Sequence, residues 1–198
     1  MLRPEEVKDE IIENSRIFHF GSLSMTDEPV RSAHLHALKV AEEAGILRSY
    51  DPNLRPPLWP NLDVAKENIL ELMGHCDILK ISDNEIQWLS GKEDYDEGIA
   101  WLRSQFDIPL IFLTLGKDGA VYADKDQKHF QPIFKVKAVD TTAAGDTFTG
   151  YFLAGLCEGM PIPEVLKMSA KASSIAVTRE GAVPSIPYRA EVLEALQA

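Results

Sequence analysis

Strand-like and helix-like segments alternate along most of this chain, and that alternation leaves few folds open. EEVKDEIIENS has apolar residues at helical spacing, RIFHFGS reads as a strand, and RSAHLHALKVAEEAG reads as a helix that Gly45 stops. ILRSYD, CDILKIS and PLIFLTL read as further strands, with LDVAKENILELMGH and DEGIAWLRSQF as helices between them. PLIFLTL is almost continuously apolar, as suits a strand covered on both faces. Strands that alternate with helices pair in parallel through right-handed crossovers, so an α/β fold is predicted, a mostly parallel open sheet flanked by helices. AVYADKDQKHFQPIF alternates around a polar centre at Asp124 to Lys128 and reads as a hairpin, and three helical segments begin near Gly145, Pro163 and Tyr188. No strand precedes RIFHFGS, so it is expected at a bare sheet edge.

Composition narrows the function classes. At 198 residues and 45% hydrophobic content the chain can bury one real core, and residues 1–198 are read as a single domain or one large piece of a bigger one. A formal net charge of -11, with no Lys/Arg run to offset it, repels nucleic acid and anionic lipid, so neither is expected as a partner. The longest apolar stretches fall far below the roughly 20 residues of a membrane-spanning helix, and the start MLRPEEVKDE carries no secretory leader. A soluble, cytoplasmic protein is the expectation. Cys76 and Cys157 form no CxxC pair and are read as small buried hydrophobes. His34 and His36, two residues apart on a helix, point to different sides and make no metal pair.

In an open parallel sheet, function gathers in the loops at the carboxyl ends of the strands. Four such segments stand out. In VDTTAAGDTFTGYFLAGL, the small residues Ala143, Ala144 and Gly145 lead into a helix expected to start around Asp146 and Thr147, leaving first-turn amides free for an anion. Asp146 has two readings there, a helix N-cap or an acid–base group. In SYDPNLRPPLW, a strand ends on Asp51, and Pro52 and Pro56 stiffen a loop carrying Asn53 and Arg55, which is either plain surface or an oxyanion ligand. In KISDNEIQWLSG, Glu85 either starts a helix or serves a cation. In TLGKDGA, Thr114 and Gly116 end a strand and Gly119 lets the next turn run close to a ligand, or the whole is a simple connection.

DTTAAGDTF resembles the signature of the ribokinase-like (phosphofructokinase B-type) carbohydrate kinases, with Ala143 where many members carry Gly. That resemblance implies Asp146 as catalytic base, with Ala143, Ala144 and Gly145 around the transferred phosphate. DPNLRPPLW is similar to the matching segment of fructokinases and 2-keto-3-deoxygluconate kinases, which implies that Asn53 and Arg55 reach substrate and phosphate. Glu85 matches the Glu of the family's Asn-x-x-Glu element, with Ser82 in place of Asn, and by resemblance organises magnesium through water. Thr114, Gly116 and Gly119 lie beside the nucleotide by the same comparison, and AKASSIAVTREGAVPSIP resembles the adenine pocket. A monovalent cation, potassium in many relatives, would be held by Asp140 and Thr142 with carbonyls of Ala176, Arg179, Gly181 and Ser185.

The resemblance runs from LRPEE to VPSIP and is strongest to fructokinases. It implies ATP- and magnesium-dependent phosphorylation of a sugar hydroxyl, fructose to fructose 6-phosphate, by direct in-line transfer. A 2-keto-3-deoxygluconate kinase, a ribokinase or nucleoside kinase, an inactive nucleotide-binding fragment and an interaction module stay open. The chain is expected to correspond to the C-terminal, nucleotide-binding portion, roughly the last two thirds of the family pattern. A Gly/Asn-rich sugar segment and the β-sheet lid, the dimer interface of many relatives, are expected to be missing.

Overall fold

The structure is a computed structural model that describes residues 1–197. Its strands are β1 (Ile17–Gly21), β2 (Leu47–Asp51), β3 (Ile78–Ser82), β4 (Leu110–Thr114), β5 (Ala120–Ala123) and β6 (Lys128–Gln131), which stand in the sheet in chain order. β1 pairs in parallel with β2 and β2 with β3, while β5 and β6 pair antiparallel. The sheet is therefore mixed, mostly parallel and open, with β1 at its edge as the sequence predicts. The chain divides within β4 into two compact units, Met1–Phe112 and Leu113–Ala198.

In the first unit, α2 (Val30–Glu43) buries Ala33, Ala37, Leu38 and Ala41 on one stripe, the spacing that fixed its reading as a helix. α3 (Leu62–Met73) starts at Asn61, whose side chain accepts the Val64 amide at 2.9 Å, and buries Ala65, Ile69, Leu72 and Met73. Fully buried side chains such as Ile69 and Leu79 stabilise the fold by about 1.5–3 kcal/mol each. Phe20 and Tyr50, opposite one another in the β1–β2 register, stack with ring centroids 4.8 Å apart.

One local expectation fails here. The helix expected over EEVKDEIIENS is broken into a 3-10 turn at Pro4–Glu6 and a short α1 (Asp9–Glu13). Between them Val7 is extended (ψ 128°) and packs against the cluster of Ile12, Ala37, Val40 and Ala41, a tertiary contact that overrides local helix propensity. Asp83–Ser90 forms a helix, α4, in agreement with the reading of Glu85 as a helix start; Gly91 in the left-handed region (φ 69°) ends it, and α5 (Tyr95–Gln105) follows.

In the second unit, β5 and β6 form the expected hairpin, registered from Ala120 opposite Gln131 to Ala123 opposite Lys128, and Asp124 closes its turn by accepting the amides of Asp126 and Gln127 at 2.8 Å. α6 (Ala144–Cys157), α7 (Ile162–Ala176) and α8 (Arg189–Gln197) begin within a residue or so of the predicted points. α6 meets α7 where Gly155 leaves room, since a Cβ there would stand 2.8 Å from Val165. Val192 docks α8 onto Met168 and Ala172 of α7.

Cys76 is buried and loss of solvent pushes its thiol up to about 12, whereas Cys157 is only partly buried, a correction to its reading as a core residue. His34 and His36 have separate partners, Ser24 and Asp9, as their two-residue spacing implies. Among the described residues no helix is long and apolar enough to cross a membrane.

Candidate active site

The loop after β2 is built by carboxylates that face inward. Asp51, 6% exposed, accepts the Lys80 ammonium from β3 at 2.9 Å and also the amide of Asn53 at 3.1 Å. Burial pushes the Asp51 carboxyl upward and the Lys80 charge opposes that push. The Asx turn so formed carries Asn53 at φ 47°, a left-handed conformation that Asn tolerates better than most residues. The next amide, Leu54, donates to Oε1 of Glu85 at 2.8 Å. β1 closes the other side: the Ser22 hydroxyl donates to the Pro52 carbonyl at 2.5 Å, and a Cβ on Gly21 would lie 3.2 Å from the Asp51 carbonyl. Arg55 follows, exposed, its guanidinium bonded only to the Leu54 carbonyl (3.1 Å) among the described residues.

Glu85 does more than start a helix. It is the third residue of α4 in a capping box with Ser82, its Oε2 accepting the Ser82 amide at 2.9 Å and hydroxyl at 2.7 Å. An ionised carboxylate offers about four acceptor positions. Ser82 takes two on Oε2 and Leu54 one on Oε1, which leaves Oε1 able to accept from one further donor, such as a cation's water.

In the second unit, Asp140 arranges the turn before α6. Its Oδ1 accepts the Thr142 amide at 2.8 Å and its Oδ2 the Gly181 amide at 2.9 Å. Hydrogen bonding from the Thr142 side chain, then from the Thr142 and Gly181 amides, holds its carboxyl below the usual carboxylate range. Ala143 is left-handed (φ 59°), and its carbonyl accepts the Thr147 amide at 2.8 Å to open α6. The helix thus starts at Ala144, one residue before Gly145 and two before Asp146, which is its third residue. Asp146 caps nothing: its exposed carboxylate accepts no hydrogen bond among the described residues, and the amides of Gly145 and Asp146 have no acceptor. Of the two roles open to Asp146 from sequence, the capping one is excluded.

The other expected residues divide. Asp140, Thr142 and Gly181 are brought together as above, while the Ala176 carbonyl accepts the Arg179 amide at 3.0 Å, the Arg179 guanidinium pairs with Glu191, and Ser185 is buried with its hydroxyl on the Ala182 carbonyl at 2.7 Å. Thr114 closes β4, and the Leu115 amide meets the Gly119 carbonyl at 2.8 Å across the turn that holds Gly116. Gly119 has an internal reason to be glycine: at φ 130° its Cβ would stand 2.2 Å from the Gln131 carbonyl oxygen, so its bareness serves the hairpin.

The sequence pattern of pfkB family carbohydrate kinases matches residues 2–189, nearly the whole chain. The chain belongs to that family. Among curated pfkB-type relatives it is 39% identical over 204 residues to Probable fructokinase-2 of Arabidopsis thaliana, covering 100% of this chain and 62% of that protein. The chain therefore spans less than two thirds of that relative's length. Among solved structures it superposes on a Xylella fastidiosa fructokinase with bound ATP at a TM-score of 0.89, with 28% identity and coverage of 100% of this chain and 66% of that one. A Vibrio cholerae O395 fructokinase in fructose-, ADP- and calcium-bound form matches at 0.87, with 27% identity over 98% of this chain and 63% of that one.

Sequence reasoning missed Lys80. Its signal is visible in retrospect, a lone ammonium in the apolar strand DILKIS, which a buried strand tolerates only with a partner.

Proposed function

We propose that this pfkB family chain contributes the phosphoryl-transfer portion of a sugar kinase, and that the sugar is fructose, phosphorylated to fructose 6-phosphate. The observation that carries the reading is the pairing of an exposed, unbonded Asp146 carboxylate with the free amides of Gly145 and Asp146 in the first turn of α6. A carboxylate with no internal partner is available to take a proton from a sugar hydroxyl. Two unpaired amides at the positive end of a 14-residue helix suit an anion whose charge grows during transfer. Ala143, Ala144 and Gly145 keep side-chain bulk away from those amides.

Arg55 has its guanidinium in solvent on a pinned loop and suits bidentate pairing with phosphate oxygens. Asn53, two residues earlier on the same loop, is read as a contact to the sugar. The remaining acceptor capacity of Glu85 Oε1 fits one water of a hydrated magnesium ion, which when bound spreads charge over phosphate oxygens. Thr114 and Gly116 are read as neighbours of the nucleotide, and Asp140, Thr142 and Gly181, with carbonyls of Ala176, Arg179 and Ser185, as the surroundings of a monovalent cation. The fructokinases that resemble this chain, with fructose and ADP or ATP bound, support ATP and fructose as its substrates. The unbroken family match over residues 2–189 supports reading both units as parts of one family domain, and the two unpaired cysteines suit a cytoplasmic location.

Calorimetric titration of the chain with ATP and magnesium, followed by ADP release on adding fructose, tests the reading. Saturable nucleotide binding with fructose-dependent ADP is expected. Binding without turnover would leave a nucleotide-binding chain only, preferential turnover of 2-keto-3-deoxygluconate would reassign the sugar, and no binding would overturn the proposal.

A further inference from the structure

The interior of the first unit holds one ion pair that the proposed chemistry does not use. Lys80 and Asp51 are 11% and 8% exposed at their side chains and 2.9 Å apart. A pair taken this far from water is weak evidence of stability, because desolvation offsets the attraction unless the remaining lone pairs are also satisfied. Here they are taken up: Asp51 accepts Lys80 on both oxygens, at 3.1 and 2.9 Å, and its Oδ1 accepts the Asn53 amide as well.

One residue further on, the Leu54 amide ends on Glu85, which Ser82 holds in turn. Lys80 and Ser82 both belong to β3, two positions apart and so on the same side of the strand. β3 thereby fixes two consecutive backbone amides of the loop that follows β2, one through each carboxylate. Asn53 in its left-handed conformation is the residue between these anchors that most needs holding. Arg55 is the first side chain beyond them.

We propose that Lys80 is a positioning residue: through Asp51, and alongside Glu85, it sets the backbone from which Arg55 and Asn53 are presented. It touches no reacting atom. The assignment of a purpose to the loop rests on the kinase reading above, but the anchoring itself does not.

Amide hydrogen exchange measured by NMR on the full 198-residue chain tests this. Lys80→Met keeps the aliphatic stem and removes the ammonium, and is expected to speed exchange at Asn53, held by Asp51, by about tenfold, the worth of one hydrogen bond, and at Leu54, held by Glu85, by less, while Leu79 and Ile81 stay protected. Lys80→Arg, which restores a cation, is expected to recover much of the protection. Because Lys80→Met strands a buried carboxylate, Asp51→Asn/Lys80→Met, neutral at both positions and with an oxygen at 51 that can still accept the Asn53 amide, serves if the single variant does not fold, and faster exchange at Asn53 is still expected because nothing then holds that oxygen in place. Where sugar turnover is measurable, kcat is expected to fall with the KM for ATP unchanged. Exchange at Asn53 and Leu54 as slow as in the parent chain would overturn the proposal, and so would unfolding of both variants, which would make the pair an element of stability. The exchange readout needs no turnover, so failure of the kinase reading and failure of this one are told apart.

Discussion

In the loop after β2, two consecutive amides, Asn53 and Leu54, each end on a carboxylate that a neighbour holds; in the first turn of α6, two consecutive amides, Gly145 and Asp146, end on nothing among the described residues. The first loop spends its polar groups on itself and leaves one exposed guanidinium, Arg55, to the outside. The second keeps its donors and its carboxylate unspent and is shaped by backbone strain at Ala143 and by Asp140 behind it. Groups that must meet a transient charge gain most when no internal partner has to be given up first, and groups that only present a side chain gain most from being fixed.

The sharpest way to break this contrast is Asp146→Asn. Turnover of the sugar is expected to fall by roughly two to four orders of magnitude, the worth of a positioned general base, while the urea midpoint stays put, since the carboxylate bonds to nothing. A parallel loss of stability would return Asp146 to a structural role.

Openness in the second unit is local, and Gly119→Ala shows where it stops. With φ at 130° and a Cβ 2.2 Å from the Gln131 carbonyl oxygen, the substitution forces the β5–β6 hairpin to shift, and a loss of roughly 3–5 kcal/mol in denaturant unfolding is expected. A loss under about 1 kcal/mol would mean the turn relaxes freely.

For the first unit the lever is pH. Burial, and secondarily the charge of His75, lowers His34 from 6.5 to about 4, and its Nε2 has no partner among the described residues. The unfolded chain therefore binds the proton more tightly than the folded one, so stability is full above about pH 6.5 and is lost as pH falls toward 4, by roughly 2–3 kcal/mol. Urea titrations across that range, repeated on His34→Gln, should show the slope flatten in the variant; an unchanged slope would assign the acid sensitivity elsewhere.

The smallest effect is expected from Ala143→Gly. Relief of a left-handed alanine, set against the greater freedom of glycine when unfolded, should raise stability by about 0.5–1 kcal/mol with turnover unchanged. Destabilisation would show that the Ala143 methyl packs to some purpose.

Long helices were legible because their apolar residues recur at a definite period, α2 above all, and β4 because its apolar run is almost unbroken. α4, with eight residues too few for a period, was legible only as a helix start at Glu85, which the Ser82 to Glu85 capping spacing explains. The break at Val7 was illegible because its cause is contact with Ala37 and Val40, distant in sequence. For the site, loop positions such as Asp146 and Arg55 stood out by residue type and by resemblance. Lys80 did not, because a search for function at strand ends passes over a strand interior, and the contact between Leu54 and Glu85 spans 31 residues that no local motif connects.

The pairing of β1 with β2 and β2 with β3 also bears on how the protein is made. Each new strand emerging from a ribosome finds its neighbour already present, one helix earlier in the chain, so none of these three must wait for a distant partner. Each pairing still spans a crossover of about thirty residues, as parallel strands require, but it draws on the neighbouring strand in sequence and on none more remote. A circular permutant that moves β1 behind β3 would forfeit that order and would be expected to refold more slowly from urea, even where its final stability matched.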